Sequence, residues 1–439
     1  MGKYVVSTEK EQQEMLRSIG MESFEDLFGH IPEEVKIKGE LNLPHGRSEL
    51  ETFAKMEELS EENKVFRHIF RGAGAYSHYI PSAVKSIVAK EEFVTAYTPY
   101  QAEISQGILQ SIFEYQTMIC ELTGMEVSNA SVYDGASAAA EATAMCRERK
   151  RSRVLVSATA NPEVIKTIKT YCHGSNTPVT VIPEKDGEMD LDLLKEALDS
   201  ETACLYVQQP NFYGILEDCD KICALVHESG AKLIMGTNPI ALGILKTPAE
   251  YGADIAVGEG QPLGMPLSFG GPYLGYMSTT KAMERKLPGR IVGETTDAEG
   301  RRAFVLTLQA REQHIRREKA SSNICSNEAL CALTASVYLS VMGKEGLQKA
   351  ARQCTSKAHF LQGKLSEAGL TLKYEKPFFH EFVTCTPIPA GEILDKLEEE
   401  GILGGLPIGE KEILWCATEK NTREEMEKVA VLVKEVCGR

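Results

Sequence analysis

The sequence predicts an α/β protein built around a mostly parallel β-sheet that is covered on both faces by helices. Between residues 153 and 258, short apolar segments such as RVLVSA and KLIMG alternate with amphipathic segments of helical spacing. The chain of 439 residues is also 43% hydrophobic and 25% charged, which is enough to bury a substantial core in more than one domain. Both observations favour a large globular protein with an α/β centre.

Helices are predicted before this alternating region. Residues 1–60 form a helical amino-terminal segment, in which SIGMESFEDLF and SELETFAKMEELSEENK carry apolar residues at helical spacing. A longer amphipathic helix is predicted in YTPYQAEISQGILQSIFEYQTMICELTGM, which Gly124 ends. Its apolar residues recur every three or four positions, at Ile104, Ile108, Ile112, Tyr115 and Ile119. We assign residues 61–330 to one large α/β domain.

The strands of the sheet are predicted in RVLVSA, PVTVI, ACLYVQQ, KLIMG and DIAVG, and the intervening helices in NPEVIKTIKTYC, LDLLKEAL, DKICALVHESG and PAEYG. The pattern changes after residue 330, where one long helical stretch is followed by the strands FVTCTPI and EILWCA with helices between and after them. Residues 331–439 are therefore predicted to form a small α+β carboxyl-terminal domain.

The composition argues against several classes of function. The net charge of −15 argues against a general affinity for nucleic acid or anionic membranes, which require a basic surface. The sequence shows neither a signal-peptide pattern nor a long apolar run, so a cytoplasmic location is expected. The 12 cysteines are scattered without a CxxC pair, and Cys219 with Cys223 alone makes a poor zinc site, so reduced thiols and no metal are expected.

One segment suits a phosphate group. In SVYDGASAAAEA a glycine and small residues follow Asp134 at a predicted helix start, where unpaired N–H groups and the helix dipole attract anions. An equally good interpretation is a tight turn whose alanines allow close packing of helix on sheet.

A phosphate site before such a β/α series, followed by a small carboxyl-terminal domain, is the plan of the aspartate aminotransferase-like (fold type I) pyridoxal-phosphate enzymes. These enzymes also need an acid against the pyridine nitrogen and a lysine that holds the aldehyde. After KLIMG, which ends at Gly236, the sequence continues with Thr237 and Asn238, and after DIAVG it gives Glu259, Gly260, Gln261 and Pro262. Lys246 and Lys281 flank the second position without being presented at the strand end. Two of the three requirements are absent.

Two long segments resemble the P-protein, or glycine decarboxylase, of the glycine cleavage system. They are AYTPYQAEISQGILQSIFEYQTMICELTGMEVSNASVYDGASAAAEA (residues 96–142) and LPGRIVGETTDAEGRRAFVLTLQAREQHIRREKASSNICSNEAL (residues 287–330). The resemblance extends over essentially the whole chain and is greatest to the alpha subunit of the split form.

The resemblance implies a subunit without its own cofactor lysine. Pyridoxal phosphate is expected on a separate beta subunit, in an alpha2beta2 heterotetramer that decarboxylates glycine and passes the aminomethyl group to the lipoyl arm of H-protein. The loop of Asp134, Gly135, Ala136 and Ser137 is then a vestigial phosphate loop, and no catalytic residue is expected in this chain alone.

The chain is expected to complete the partner's pocket, because enzymes of this fold share residues across the dimer. Candidate contributors are Tyr97, Tyr100 and Gln101 in YTPYQ, and Arg311, His314 and Arg316 in REQHIRREK. Arginine suits a carboxylate or a phosphate. The alternatives are interface packing for the aromatic turn, a solvated helix with charges paired to Glu312 and Glu318, and a packed histidine.

Two rival functions remain open from the sequence. One is a self-sufficient pyridoxal-phosphate lyase or aminotransferase that uses a lysine elsewhere in the chain. The other is a purely structural assembly module that shares in no active site.

Overall fold

The computed structural model describes residues 6–95 and 98–438. The chain divides into two compact units, Met1–Lys64 and Val65–Arg439. The smaller unit contains helices α1 (Glu9–Ser18) and α2 (Glu49–Glu61), with a short 3-10 helix (Phe24–Phe28) between them. Both α-helices begin with a capping box, in which a threonine or serine and the glutamate three residues later satisfy each other's backbone N–H groups.

The larger unit carries the predicted alternation of helices and strands. Its helices are α3 (Ser82–Val88), α4 (Gln106–Thr123), α5 (Gly135–Cys146), α6 (Pro162–Gly174), α7 (Leu191–Ala197), α8 (Cys219–Glu228), α9 (Pro248–Tyr251), α10 (Gln313–Arg316), α11 (Ala329–Glu367), α12 (Ala390–Glu399) and α13 (Arg423–Cys437). Its strands are β1 (His68–Ile69), β2 (Val127–Ser128), β3 (Arg153–Ser157), β4 (Val179–Ile182), β5 (Glu184–Lys185), β6 (Glu188–Met189), β7 (Thr202–Gln209), β8 (Lys232–Thr237), β9 (Ile255–Glu259), β10 (Gly275–Thr279), β11 (Ile291–Thr296), β12 (Arg302–Thr307), β13 (Thr371–Leu372), β14 (Glu381–Cys385), β15 (Ile402–Leu403), β16 (Leu406–Gly409) and β17 (Glu412–Cys416).

The central sheet has seven strands in the order β2-β10-β9-β8-β7-β3-β4. Strands β4, β3, β7, β8 and β9 run parallel, and β10 and β2 add an antiparallel edge. Val154, Leu205 and Ile234 are fully buried because helices cover both faces of the parallel part. The prediction of a mostly parallel sheet is confirmed, and the carboxyl ends of its strands meet at one edge.

Two predicted helices differ from the structure in detail. Helix α4 ends as expected at Gly124, whose φ of 72° is left-handed and gives glycine an advantage there. It begins only at Gln106, since Ile104 lies in a 3-10 turn and is 80% exposed. The long carboxyl-terminal helix α11 is interrupted at Gly343, where φ of 60° and ψ of −178° break the helical path.

An antiparallel hairpin was not predicted. Strands β11 and β12 pair from Ile291↔Thr307 to Thr296↔Arg302, and the Asp297 carboxylate accepts the N–H of Arg301 across the connecting turn. The hairpin packs on helix α4, where the Gln116 side chain bonds both N–H and C=O of Val292.

The carboxyl-terminal part contains a four-stranded antiparallel sheet in the order β13-β14-β17-β16. Phe382 and Trp415 pair across β14 and β17 in its core, which also contains apolar residues of α11, α12 and α13. Strand β1 belongs to the same core although it begins at residue 68. It pairs in parallel with β15, Phe70 is fully buried there, and the Arg71 guanidinium donates to the carbonyl of Gly405 at 2.9 Å.

Among the described residues, no helix combines the length and the apolar character needed to cross a bilayer.

Candidate functional site

A cavity of about 310 Å³ lies at the carboxyl ends of β7, β8 and β9, beside the amino end of α5. This edge of a parallel sheet is where α/β proteins bind ligands. The predicted phosphate loop and both predicted cofactor positions meet here, and the lining includes Asp134, Gly135, Ala136, Gly236, Asn238, Glu259, His380 and Glu381.

The chain's own carboxylates bind the first turn of α5. Asp134 is the N-cap residue, and its Oδ1 accepts the N–H of Ser137 at 2.7 Å. The N–H of Gly135 donates to Oε2 of Glu259 at 3.0 Å. Two N–H groups of the predicted phosphate loop therefore already bond carboxyl groups of the same chain.

Glu259 is the last residue of β9 and connects three segments. Its Oε1 accepts the N–H groups of Gln261 and Leu274 at 2.9 and 3.0 Å, while Oε2 binds Gly135. Burial raises the pKa of Glu259 to about 7, against the lowering effect of the three backbone N–H groups. A Cβ at position 135 would lie 2.8 Å from the backbone nitrogen of Glu259, so only glycine fits this contact.

The position expected for the pyridine-binding acid is blocked by an aromatic side chain. A Cβ on Gly236 would overlap the hydroxyl of Tyr206, which extends from the neighbouring strand β7. Asn238 follows β8, and its Oδ1 accepts the N–H groups of Ile240 and Ala241 at 2.9 and 3.2 Å. A carboxylate at Gly236 is sterically excluded, and the Asn238 amide caps the next turn.

The position expected for the lysine is filled by structural hydrogen bonds. Gln261 is fully buried, and its amide bonds the N–H and C=O of Tyr76 and the carbonyl of Met265, all at 2.8–2.9 Å. None of the described residues that line the cavity is a lysine. Lys246 is half-exposed and pairs with Asp220 at 3.0 Å, and Lys281 is exposed at the start of a 3-10 helix.

These residues do not fit pyridoxal phosphate. The cofactor needs an amine, an acid and free phosphate-binding donors in one cavity. Here Gln261 and Pro262 stand where the amine is expected, Tyr206 blocks the acid, and Glu259 occupies the Gly135 donor. No chemical step can be assigned to this cofactor in this cavity.

The opposite wall of the cavity is buried and polar. Glu381 accepts the N–H of Ala73 at 2.6 Å and the hydroxyl of Tyr76 at 2.8 Å, and burial raises its pKa to about 7. Burial, together with the charge of His78, lowers the pKa of His380 to about 3. The imidazole of His380 is therefore neutral at physiological pH.

A buried ion pair lies behind this wall. The carboxylate of Glu419 accepts from Nδ1 of His78 at 2.7 Å, from the N–H of Tyr79 at 2.6 Å and from the thiol of Cys354 at 3.2 Å. Burial raises the pKa of Glu419, but the bond to His78 and its charge outweigh this and lower it to about 2. The three side chains connect the segment before α3 to α11 and to the end of β17.

The described candidate residues in YTPYQ, Tyr100 and Gln101, do not line this cavity. Tyr97 lies outside the described residues. Tyr100 is 64% exposed, and its hydroxyl accepts from Nη2 of Arg290 at 2.9 Å. Gln101 is exposed at the start of a 3-10 turn, where its side chain makes no capping bond.

Arg290 was not singled out from the sequence. It is only 4% exposed, its guanidinium lies 5.3 Å from the ring centre of Tyr100, and its Nε is buried without a partner. The sequence places it in LPGRIVG, a segment with no charge pattern or motif. Only the fold, which brings residues 98–101 beside residues 287–290, reveals it.

The candidate residues in REQHIRREK fall into two groups. The guanidinium of Arg311 donates to the carbonyls of Leu287 and Gly289, so it supports the turn that precedes Arg290. His314 is half-exposed with Nδ1 3.6 Å from Glu312, and the Nε of exposed Arg316 donates to the carbonyl of Ala310 at 3.2 Å. Arg311 and Tyr100 thus meet around one turn, whereas His314 and Arg316 lie outside it.

A family model described as "Glycine cleavage system P-protein" matches residues 2–433. The chain belongs to the glycine cleavage system P-protein family. A relative named probable glycine dehydrogenase (decarboxylating) subunit 1, from Carboxydothermus hydrogenoformans, is 51% identical over 97% of this chain and 98% of its own length. A relative of the same name from Chlorobium limicola is 50% identical over 97% and 98%.

One solved structure agrees with this membership, and a second, more distant one shares the fold. A crystal structure of glycine decarboxylase (P-protein) of the glycine cleavage system, in inhibitor-bound form, superposes with a TM-score of 0.92 at 43% identity, covering 99% of this chain and 100% of that one. A sphingosine-1-phosphate lyase of Burkholderia pseudomallei superposes with a TM-score of 0.66 at 17% identity, over 91% and 92%. The P-protein chain therefore has the aspartate aminotransferase-like fold that its sequence predicts.

Proposed function

We propose that this P-protein chain is the alpha subunit of a two-chain glycine decarboxylase. In this proposal a beta subunit carries pyridoxal phosphate on its own lysine, and the two chains form an alpha2beta2 heterotetramer in the cytoplasm. Together they decarboxylate glycine and transfer the aminomethyl group to the lipoyl arm of H-protein.

One observation carries the proposal. The chain matches subunit 1 relatives over nearly their whole length, yet the cavity in which the cofactor is expected holds a carboxylate at the phosphate loop and no lysine among its described lining residues. A chain with the intact fold and a closed cofactor position is the arrangement expected of a subunit that supports chemistry on a partner. This observation also counts against the self-sufficient enzyme.

We further propose that the segment around Tyr100 and Arg290 is the part that completes the partner's pocket. A buried guanidinium is costly unless an anion compensates it. No carboxylate among the described residues is within ion-pair distance of Arg290, and the one side chain among them that bonds its guanidinium is the phenol of Tyr100. The missing counter-charge is supplied, in this proposal, by the glycine carboxylate or the cofactor phosphate in the beta subunit.

Arg311 then has a positioning role. Its two bonds to the carbonyls of Leu287 and Gly289 fix the turn from which Arg290 extends. Gln101, His314 and Arg316 remain candidate contributors at the same subunit boundary. Tyr97, which is outside the described residues, stays a prediction from the sequence.

The test is a reconstitution of the two subunits. This chain and the beta subunit are purified separately with pyridoxal phosphate, and glycine–bicarbonate exchange is measured with H-protein for each chain and for the mixture. Borohydride reduction followed by peptide mapping locates the lysine that carries the cofactor. We expect exchange only in the mixture and a label only in the beta subunit, with a mass that corresponds to two copies of each chain.

Two results would contradict the proposal. A borohydride-trapped cofactor on a lysine of this chain would establish the self-sufficient enzyme. Unchanged exchange in the Arg290→Ala and Tyr100→Ala variants, with assembly preserved, would favour a purely structural module and refute the pocket contribution.

A further inference from the structure

We infer that Glu259 closes the phosphate loop of this chain with its own carboxylate, so that the cavity rejects phosphate and gains affinity for it only when that carboxylate is removed. The inference concerns this chain alone and does not depend on the proposed decarboxylation. The carboxylate of Glu259 takes the place that a bound phosphate would occupy.

The hydrogen bonds place a carboxylate where a helix amino end would otherwise receive a phosphate. Oε2 of Glu259 takes the Gly135 N–H, and Oδ1 of Asp134 takes the Ser137 N–H. A phosphate bound at a helix amino end uses such backbone donors and the positive end of the helix dipole. The Gly135 and Ser137 donors already bond carboxyl groups of the same chain, which also lie at the positive end of the helix dipole.

Glu259 is also held firmly in place. Its other oxygen bonds the N–H groups of Gln261 and Leu274, which lie at the two ends of the loop between β9 and β10. Gly135 packs against its backbone so closely that a Cβ would lie 2.8 Å from the nitrogen. Swinging the carboxylate out of the loop would leave three backbone N–H groups without their partner, which is unfavourable in a buried site.

The charge of the cavity opposes phosphate as well. The carboxyl groups of Asp134, Glu163, Glu259 and Glu381 line it, and its described lining contains neither lysine nor arginine. His380 adds no positive charge, since burial keeps its imidazole neutral. A phosphate that entered would meet like charges without a compensating cation.

The probe is inorganic phosphate, titrated into the full 439-residue chain at constant ionic strength and pH 8, with binding followed by calorimetry and by ³¹P line width. The variants are Glu259→Ala, which frees the Gly135 N–H, and Glu259→Gln, which removes the charge and keeps the volume. The control is Glu163→Ala, because Glu163 lines the same cavity but pairs with Lys166 at 2.8 Å and does not contact the loop.

We expect no saturable phosphate binding by the wild-type chain or by Glu163→Ala. Glu259→Ala should bind phosphate saturably, with an affinity roughly tenfold to a hundredfold above the detection limit that the wild-type titration sets, which is the range of one charge-assisted hydrogen bond, and Glu259→Gln should show a smaller gain. Circular dichroism confirms that each variant is folded.

Saturable binding of phosphate by the wild-type chain would overturn the inference. A folded Glu259→Ala chain with no gain over wild type would also overturn it, and if that variant does not fold, the absence of a gain in Glu259→Gln overturns it instead. The phosphate titration contains neither glycine nor the partner subunit. A negative titration therefore does not contradict the proposed function, and a failed reconstitution of the two subunits does not contradict the role of Glu259.

Discussion

Replacing Gly135 with alanine tests how closely helix α5 packs on strand β9. The added methyl group would lie 2.8 Å from the nitrogen and 3.0 Å from both Cα and Cβ of Glu259. These atoms belong to a strand in the middle of the sheet and cannot rotate away, so the helix would have to shift. Overpacking of this kind costs about 1–3 kcal/mol. We expect Gly135→Ala to lower the free energy of unfolding by that amount.

The assay is urea unfolding followed by circular dichroism, with Gly363→Ala as the matched control. Gly363 lies in helix α11, and a Cβ there meets no atom within 4 Å. In an unobstructed helix the same substitution should stabilise the chain by about 0.5–1 kcal/mol. If Gly135→Ala unfolds at the same urea concentration as Gly363→Ala, or a higher one, the close contact and the reasoning built on it are wrong.

Three further predictions concern charge. In the reconstituted enzyme, Arg290→Lys and Tyr100→Phe should raise KM for glycine or weaken cofactor binding by roughly tenfold, because each removes part of a charge-assisted contact. The control Lys246→Gln, which removes an exposed ion pair, should change neither. Equal effects of all three substitutions would contradict the role proposed for Arg290 and Tyr100. The pKa of Glu381, about 7, lies above its unfolded value near 4.3, so its contribution to stability is present at pH 4 and is lost as the pH rises towards 7. In thermal unfolding, Glu381→Gln should therefore gain up to about 3 kcal/mol of stability relative to wild type between pH 5 and pH 8. Parallel pH profiles of the two proteins would refute this prediction. The pKa of Glu419, about 2, lies below the unfolded value, so its stabilisation is present above about pH 4.3 and is lost as the pH falls towards 2. Glu419→Gln should therefore lower the free energy of unfolding by about 3–5 kcal/mol at pH 7 and by little at pH 2.5. A loss that does not depend on pH would show that the pair with His78 is not its source.

Regular alternation is what made the fold predictable. Strand segments such as RVLVSA and KLIMG have three consecutive apolar residues because both faces of the parallel sheet are covered, and their connecting helices carry a clear apolar stripe. The β11–β12 hairpin was missed because GETTDAEGRRAF contains many charged residues and its outer face is exposed. The β-branched and apolar residues on both sides of the DAEG turn are nevertheless typical of a β-hairpin.

The site could be predicted only in part. The absence of an amine and an acid at two strand ends is visible in the sequence, because parallel strands fix which residues reach the cavity. The Glu259–Gly135 contact joins residues 124 positions apart, and no local pattern encodes it. The same holds for Arg290, whose importance comes from its burial against Tyr100 and not from its neighbours in the chain.

The pairing of β1 with β15 also affects how the protein folds during its synthesis. His68 aligns with Ile402, and Phe70 donates its N–H to the carbonyl of Leu403, so β1 has its partner strand only once residues 402–403 have been synthesised. During translation, Phe70 cannot make this contact until residues 402–403 have left the ribosome, and closing so large a loop is slow. Nascent chains of this subunit are therefore expected to need protection from aggregation until β15 has been synthesised.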